Sequence, residues 1–318
     1  MSAVVWAAPY LPPSPPVAVN PFPGLTLTWT GANGDEFNLA NQGCGIVLVG
    51  DSVEGMHLPE FEDYVQEFAG LDGQDYDGGV AKPRHVEWTM LIFCDASSDG
   101  WLANEKRWWA SFKPRGSYGT WAVADQNGGT RRLKCRLTSD GGYAHQNDPA
   151  RFGWAAYPIT LIADDPWWYG EPIVGSWTPP EPKMLFGGGT LGVDPMRFPP
   201  LYHSSANTFS SATITNPGDE PTWAKWTVSG PIDSATFTVD GGSIGLPAVA
   251  AGETLVVNTD PADPTAFLDD VDVSGLVEPW DPRPFPPGET VPVTLDVDYD
   301  EGASVQVEAP TKYWRAFA

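Results

Sequence analysis

Acidic side chains are the most numerous groups in this sequence that could do chemistry, and one cluster is spaced like part of a calcium-binding loop. Asp75-Tyr76-Asp77-Gly78 alternates carboxylates before a glycine, as the middle of an EF-hand loop does. In that register Gly73 would be the first ligand and Arg84 the twelfth, and neither side chain can bind calcium. The spacing therefore excludes an EF-hand.

Other carboxylates repeat along a strand or stand side by side. Asp296, Asp298 and Asp300 recur at every second residue, so they share one face of a strand. We interpret them as a solvated outer face, with calcium or a basic partner chain as the alternative. The pairs Asp164-Asp165 and Asp269-Asp270 could imitate the two carboxylates of a glycosidase. Adjacent acids at a loop or strand end are far commoner.

Two glycine motifs match catalytic or phosphate-binding signatures, but their surroundings do not fit. The sequence Gly241-Gly242-Ser243-Ile244-Gly245 matches the nucleophile elbow, which needs a strand before it and a helix after it. Leu246-Pro247 follows instead, so we predict a hairpin turn. Residues 187–192 match G-x-G-x-x-G, but 193–195 offer no helix N-terminus to bind a phosphate.

The histidines and cysteines are scattered. Four histidines lie far from one another and from the cysteines, so no metal-ligand or nucleophile–base spacing follows. Three cysteines, 50 and 41 residues apart, predict neither a disulfide framework nor a metal knuckle. The residues are His57, His85, His145, His203, Cys44, Cys94 and Cys135. We expect no catalytic residue, no metal and no cofactor, and hence a protein that is not an enzyme.

Composition limits the partners that this chain can have. Its 318 residues carry 41 acidic and 17 basic side chains, for a net charge of −24. Such acidity argues against stable nucleic-acid binding and against an anionic membrane as partner. The hydrophobic share of 42% excludes a disordered chain, and the length predicts two domains. The longest apolar runs, such as 46–49, are too short to cross a membrane, and residues 1–24 lack the basic residue of a signal peptide.

Basic and aromatic side chains instead suggest contacts with other protein chains. A basic hairpin near Trp121 could suggest nucleic acid, but in so acidic a chain we favour contact with an acidic neighbour. Trp108 and Trp109 could stack on sugars, but burial under a helix or at a subunit interface is commoner. The predicted interface residues are Trp108, Trp109, Trp121, Arg131, Arg132, Lys134 and Arg136.

The elements that would position these side chains are mostly strands in the first half of the chain. Residues 25–30, 45–50, 84–93 and 153–162 have strand patterns, whereas 61–68 fit a helix or a strand. A single helix begins at Ser98 or Asp99 and ends before Pro114. Its predicted apolar face, which should bury against the sheet, consists of Trp101, Leu102, Trp108, Trp109 and Phe112. A hairpin over 120–137 turns at 127–129 and points Leu133, Cys135 and Leu137 one way and Arg132, Lys134 and Arg136 the other.

The second half of the chain has strand signals alone. Short strands recur from 212 to 307 with turns every 8–15 residues, a pattern typical of an antiparallel sandwich. Residues 216–318 hold 18 acids and 4 bases, over half of the net negative charge. Between the halves, 170–210 is rich in glycine and proline and is too long for a loop within one domain. The predicted division is a proline-rich arm at 1–21, a first domain at 22–169, a connector at 170–210 and a sandwich at 211–318.

The order of several short motifs resembles the distal tail protein family of siphophages. The glycine-rich segment and the strand that opens at Arg84 are followed by one helix ending near Lys113-Pro114 and by the basic hairpin. In the second half, Asn216-Pro217-Gly218-Asp219 and Gly252-Glu253-Thr254-Leu255 match the family's N-P-G-D and G-E-x-L segments. The resemblance covers roughly residues 22–318.

The resemblance implies a mainly β protein with a structural role in a long non-contractile tail. It implies a β-sandwich-like tube domain with one helix, a galectin-like β-sandwich, and a ring of six copies that joins the tail tube to the tail-tip complex. The implied partners are further copies of the chain, the tail tube protein, the tail-tip protein and, in some members, receptor-binding proteins. The implied location is the virion's tail tip, after assembly in the host cytoplasm. The arm at 11–16 and the long connector depart from a minimal member.

Two other functions remain as alternatives. The second sandwich could be a carbohydrate-binding module for the host surface, with Trp223 and Trp226 as candidate glycan contacts. An enzyme that acts on cell-wall polymers is the third hypothesis, although no catalytic group supports it.

Overall fold

The protein is described by a computed structural model that divides into two compact units. The first unit comprises Met1–Gly170 together with Tyr313–Ala318, and the second comprises Glu171–Lys312. The chain therefore leaves the first unit and returns to it. The described residues are 24–40, 43, 45–50, 52–70, 72–94, 98–127, 129–142, 148–178, 208–299 and 302–317. The predicted arm at 1–21 and most of the predicted connector lie outside them.

The described residues of the first unit form one large antiparallel sheet, a separate hairpin and two helices. The helices are α1 (Ser98–Ala110) and α2 (Pro149–Phe152). The strands are β1 (Leu25–Thr30), β2 (Glu36–Asn38), β3 (Ile46–Leu48), β4 (Phe61–Gln66), β5 (Asp75–Ala81), β6 (Arg84–Phe93), β7 (Tyr118–Asp125), β8 (Thr130–Ser139), β9 (Trp154–Ala163) and β10 (Trp168–Tyr169).

The large sheet curls until its two ends meet. Its strand order is β2-β1-β7-β8-β9-β6-β3, and β10 pairs with β8 beside this path. At the ends, the Leu48 N–H of β3 donates a hydrogen bond of 2.9 Å to the carbonyl of Leu39, just after β2. Along β6 the residues Val86, Trp88 and Met90 are buried and the residues between them, Glu87 and Thr89, are not, as the two-residue period of a strand requires. One face of the sheet therefore encloses the core.

Aromatic rings fill that core. Trp88 makes edge-to-face contacts with Trp29 and Trp121, at centroid distances of 5.6 and 4.9 Å. Trp121 in turn contacts Trp168 at 5.0 Å. Phe112, just beyond α1, stacks on Trp29 at 5.1 Å. Such aromatic pairs stabilise by about 0.5–1.5 kcal/mol each beyond the burial of their area.

The helix prediction is confirmed for α1, with one difference in its buried face. Trp101, Trp108 and Phe112 are buried, but Leu102, which the sequence placed on the apolar face, is 40% exposed. The short helix α2 was not predicted. Asp148 caps it by accepting a hydrogen bond from the Ala150 N–H, and Gly153 ends it in the left-handed conformation at φ 74°.

Between residues 58 and 81 the sequence was ambiguous or misleading. Residues 61–68 could have been helix or strand, and the structure forms the strand β4 there. The glycine-rich segment continues into β5, which pairs with β4 as a separate two-stranded sheet. This strand contains two adjacent glycines and two aspartates, residue types that are depleted in strands, so its composition did not predict a strand.

The second unit is a two-layered antiparallel sandwich, as predicted. One sheet has the order β11-β20-β13-β16-β17-β18 and the other β12-β19-β14-β15, with the second core between them. The strands are β11 (Ile173–Trp177), β12 (Thr208–Thr215), β13 (Lys225–Ser229), β14 (Ile232–Val239), β15 (Gly242–Leu246), β16 (Thr254–Asn258), β17 (Thr265–Leu268), β18 (Val271–Asp272), β19 (Thr290–Tyr299) and β20 (Ser304–Ala309). A last short strand, β21 (Lys312–Tyr313), pairs with β10 in the sheet of the first unit.

The unit boundaries differ from the predicted domain limits at two places. The strand β11 lies in the predicted connector, yet it pairs with β20 over five residues and belongs to the sandwich. Residues 313–317, predicted as the end of the sandwich, belong to the first unit. Flanking prolines and Gly175 obscured β11, and the five residues 313–317 are too few to show which core they join.

Candidate interaction surfaces

The catalytic motifs do not assemble into a site in the part of the chain that the structure describes. Ser243 lies in β15, just after a tight hairpin turn with positive φ at Asp240 and Gly241, so no nucleophile elbow forms. Among the described residues no group of three or more His, Cys, Asp or Glu could hold a metal ion. No helix of the described chain is long and apolar enough to cross a membrane. Cys44, His145, His203, Asp300 and the 187–192 motif lie outside the described residues.

A cleft of about 370 Å³ in the first unit is lined by several polar groups, among them His57 and His85. Its charged centre is Arg84, which is only 2% exposed. The Arg84 guanidinium donates to the carbonyls of Pro166 at 2.7 Å, Gly55 at 3.0 Å and Trp314 at 2.9 Å, and also to that of His57. Burial lowers the pKa of Arg84 to about 10, so it stays charged at neutral pH.

These bonds give Arg84 a structural task. Its donors are taken up by backbone carbonyls from three separate segments of the first unit, one of them the returning C-terminal segment. A guanidinium used in this way has little left with which to bind a substrate. The cleft therefore surrounds an arginine whose hydrogen bonds hold three segments of the first unit together.

Two of the three predicted interface tryptophans are placed in the core instead. Trp108 and Trp121 are fully buried within this chain, so they present no surface to another copy. Trp109 is half-buried and lies edge-on against Tyr157 at 5.5 Å. The correction has a plain cause: a large aromatic on the inward face of a strand or helix gains more from its own core than from a partner.

The basic residues of β8, by contrast, lie on the surface. Leu133 and Cys135 point into the core, so Arg132, Lys134 and Arg136 share the outer face of the strand, as the sequence predicted. We call these three residues the basic strip. Arg131 belongs to the other face, where its guanidinium lies 3.7 Å from the centroid of the Tyr313 ring.

One end of the basic strip is fixed by an ion pair. Arg136 Nε and Nη2 donate to the two oxygens of Asp164 at 2.8 and 2.9 Å, and the Tyr118 hydroxyl donates to the same carboxylate at 2.5 Å. The hydrogen bond from Arg136 lowers the pKa of Asp164, and the bond to Asp164 raises the pKa of Tyr118. Lys134 Nζ lies 4.9 Å from the centroid of the Tyr118 ring. The strip thus combines positive charge with an aromatic surface.

The structure adds a surface that the sequence analysis missed. Residues 58–81, here called the acidic hairpin, contain β4 and β5 and stand apart from the large sheet. Several large apolar side chains on this hairpin are exposed: Leu58, Tyr64, Val65, Phe68, Tyr76 and Val80. The same residues contain seven acidic side chains and no basic one. This one-sided charge is visible in the sequence, whereas the calcium-loop spacing of Asp75 and Asp77 is not a sign of it.

The candidate glycan contacts lie in or beside the second core. Trp226 is only 1% exposed and packs against Phe237 at 4.7 Å, so it cannot stack on a sugar. Trp223 is half-buried. Trp280, which the sequence analysis did not select, is 40% exposed. The carbohydrate-binding alternative therefore loses one of its two proposed residues.

Comparison with known proteins finds phage tail proteins. No protein-family model matches the chain. Minor tail protein Gp27 of Mycobacterium phage L5 is 28% identical over 219 residues, and Gp27 of Mycobacterium phage D29 is 26% identical over the same length. Each match covers 63% of this chain and 60% of the relative, so the chain spans less than two thirds of the relatives that it matches.

A solved structure has the same fold over nearly its whole length. The Dit protein of phage SPP1, described as a paradigm of the hub adsorption apparatus in phages that infect Gram-positive bacteria, aligns with a TM-score of 0.55. The alignment covers 90% of this chain and 98% of the Dit chain at 13% identity, which shows the fold alone. The chain is thus related to mycobacteriophage minor tail proteins and has the fold of a siphophage distal tail protein, as the resemblance in its sequence predicted.

Proposed function

We propose that this protein is a structural component of a phage tail that forms a ring, of six copies, between the tail tube and the tail-tip complex. The observation that carries the proposal is the likeness to SPP1 Dit, which spans both units of the chain. Both relatives are named as minor tail proteins of mycobacteriophages, which supports a position of this chain in a phage tail. Its partners are then further copies of itself, the tube protein and the tip protein, and its role is not enzymatic.

The surfaces of the first unit support self-association. The acidic hairpin exposes apolar side chains that a monomer gains nothing by exposing. A closed ring in which every copy uses the same two surfaces satisfies such groups without leaving an open end. The tryptophans that point inward form a tightly packed core, and this core fixes the positions of the surface strands.

Mass photometry and negative-stain microscopy of the purified chain test the ring. We expect a discrete species of six times the 34.3 kDa chain mass and ring-shaped particles with six-fold symmetry. A ring with another number of copies would correct the stoichiometry alone. A chain that stays monomeric at every concentration, both alone and mixed with the tube and tip proteins of its phage, would overturn the proposal.

A further inference from the structure

We infer that the proline-rich arm of this chain docks into the cleft around Arg84, with residues 11–16 as the bound segment. The ligand class is a proline-rich segment in the polyproline II conformation, and the occupant is the arm of the same copy. The inference goes beyond the proposed ring and does not depend on it.

The sequence of the arm has the properties of a polyproline II ligand. Residues 11–16, which lie outside the described residues, include four prolines, and each of the six is a proline or precedes one. Proline fixes its own φ and biases the preceding residue toward extended conformations, so the sequence predicts polyproline II without help from a partner. Because this helix has three residues per turn, Pro12 and Pro15 share one edge of it. Residues 1–21 contain no charged side chain, so the arm suits a surface that offers apolar contacts.

The cleft presents the rings that recognise such a helix. Its volume of about 370 Å³ lies in the range of roughly 300–1,000 Å³ that is usual for ligand sites. Proline-rich segments bind in grooves lined by aromatic rings. Phe317 is half-buried in the cleft wall, and its ring meets that of His57 edge-on at a centroid distance of 6.1 Å. Leu58, which is 54% exposed, and the exposed Pro83 add apolar surface to the lining.

Two imidazoles supply hydrogen-bond donors for the carbonyls of the bound segment. The carbonyls of a polyproline II helix have no hydrogen bond within the helix, and proline itself has no N–H. His57 and His85 both line the cleft and are exposed, and neither ring nitrogen hydrogen-bonds to another described residue. An imidazole has at least one N–H that can donate to such a carbonyl. The cleft therefore combines ring packing with polar contacts that fix the orientation of a ligand.

Arg84 forms the cleft in advance of binding. Its guanidinium donates to the carbonyls of Gly55, His57 and Trp314. It therefore joins the segment that contains His57 to the C-terminal segment that contains Phe317. These bonds use backbone oxygens, so the lining side chains remain available to a ligand. A site whose walls are already fixed loses little conformational entropy when a ligand binds.

The arm starts close enough to the cleft to reach it within one chain. Thr26 in β1 and Thr130 in β8 are both paired with the same residue of β7, so they lie two strand spacings, about 10 Å, apart. The next residue, Arg131, donates to the carbonyl of Arg315 at 2.9 Å, two residues before Phe317. Ten residues of polyproline II span about 31 Å, and the arm has that many between the middle of residues 11–16 and the start of the described chain.

The covalent connection favours the arm of the same copy over a separate segment. A ligand that is tethered by a short linker has an effective concentration in the millimolar range. A proline-rich segment of another protein would have to reach a similar concentration to displace the arm.

Peptide binding to the full-length chain tests the site. The arm variant carries Pro12→Ser, Pro13→Ser, Pro15→Ser and Pro16→Ser, which keep the length of the chain and remove the ligand. The probe is a fluorescent peptide of residues 9–17, and fluorescence anisotropy measures its binding. The arm variant should bind this peptide at least about tenfold more tightly than the native chain does, because the tethered native arm competes for the cleft. A peptide with the same four substitutions is the control and should bind neither chain.

Substitutions in the cleft should remove this binding. In the arm variant, adding Leu58→Asp places a carboxylate against an uncharged ligand and should weaken peptide binding at least about tenfold. Adding Leu102→Asp instead is the matched control, because Leu102 is an exposed leucine of α1 outside the cleft, and binding should be unchanged. A second cleft variant, His57→Ala with His85→Ala, removes the donors but keeps the backbone carbonyl that Arg84 binds, and it should also weaken binding. Thermal melting checks that each chain has folded.

A disulfide identifies the copy that supplies the arm. Ser14→Cys with Leu58→Cys should form a disulfide within one chain under mild oxidation, and a non-reducing gel shows whether one chain or two are joined. Ser14→Cys with Ala103→Cys, on the exposed side of α1, is the control and should form none.

Each outcome decides the inference. A peptide that does not bind the arm variant, or that binds the arm variant and the native chain equally, would overturn it. Binding that survives both cleft variants would put the peptide at another site, and a disulfide between two copies would put the arm on a neighbour. Either result would also overturn the inference. The ring is tested separately by mass photometry, so the proposed function stands or fails on its own.

Discussion

Replacing Trp121 by alanine distinguishes a core tryptophan from an interface tryptophan. Trp121 lies in β7 with no exposed side-chain surface, between the rings of Trp88 and Trp168. If it belongs to the core, Trp121→Ala removes contacts within each copy and lowers the stability of the first unit in the monomeric chain. If it belongs to an interface, the same change weakens association and leaves the unit stable.

The size of the effect follows from burial and from the two ring contacts. Truncating a buried tryptophan to alanine costs about 3–5 kcal/mol, which includes the cavity that it leaves. In a domain of this size such a loss lowers the melting temperature by roughly 6–20 °C. Trp121→Phe should cost less. The Trp121 Nε1–H is buried and has no hydrogen-bond partner among the described residues, so phenylalanine sacrifices no hydrogen bond.

Tryptophan fluorescence and near-ultraviolet circular dichroism follow the unfolding of the aromatic core. Measurements at dilutions where the native chain is monomeric remove the contribution of assembly. Lys134→Ala is the control, because Lys134 is exposed and its removal should leave the melting temperature almost unchanged. A Trp121→Ala chain that melts like the native chain but no longer assembles would refute the placement of Trp121 in the core.

Three further predictions concern buried or paired groups of the first unit. Arg84→Met removes hydrogen bonds to backbone carbonyls and leaves buried acceptors without a donor, at a cost of about 1–3 kcal/mol each. The variant should have a lower melting temperature, and proteases should cleave near Trp314 earlier than in the native chain. An unchanged melting temperature would contradict the structural role of Arg84. Asp164→Asn should be less stable than the native chain at pH 7, and calorimetry should show the difference fading as the pH falls below about 4. The reason is that the hydrogen bond from Arg136 lowers the pKa of the Asp164 carboxyl in the folded chain. The ionised carboxylate therefore stabilises the fold fully at a pH above the ordinary pKa of an aspartate. This stabilisation is lost as the pH falls through the lowered pKa of the folded state. Burial raises the pKa of the Cys135 thiol, so a thiol reagent should modify it at the rate of unfolding; fast labelling of the native chain would show that it is accessible.

Patterns that repeat along the chain predicted much of the fold. The two-residue period of β6 and β8 and the spacing of Trp101, Trp108 and Phe112 each place several residues on one side of an element. Because several residues together define the buried side of an element, one wrongly assigned residue, such as Leu102, does not change the prediction of the helix. The same alternation correctly put the basic strip on the surface.

Residue type alone was a poor guide to the interface. A tryptophan is favoured both in a core and at a subunit contact, so Trp108 and Trp121 could not be assigned before their element was oriented. A consistent use of the alternation in β7 would have settled Trp121. It is opposite Leu133 in the hairpin register, and Leu133 was already predicted to face inward.

The exposed and acidic character of the hairpin 58–81 does not correspond to any known residue motif. Asp75 and Asp77 attracted attention as possible calcium ligands, and the failure of that motif left them without a role. In the folded chain they belong to β5, beside exposed Tyr76, in a segment that has only negative charge. The property that matters there belongs to the whole surface and not to any pair of ligands. Exposed apolar area and one-sided charge over a whole segment are therefore a more direct guide to an interaction surface than any single residue motif.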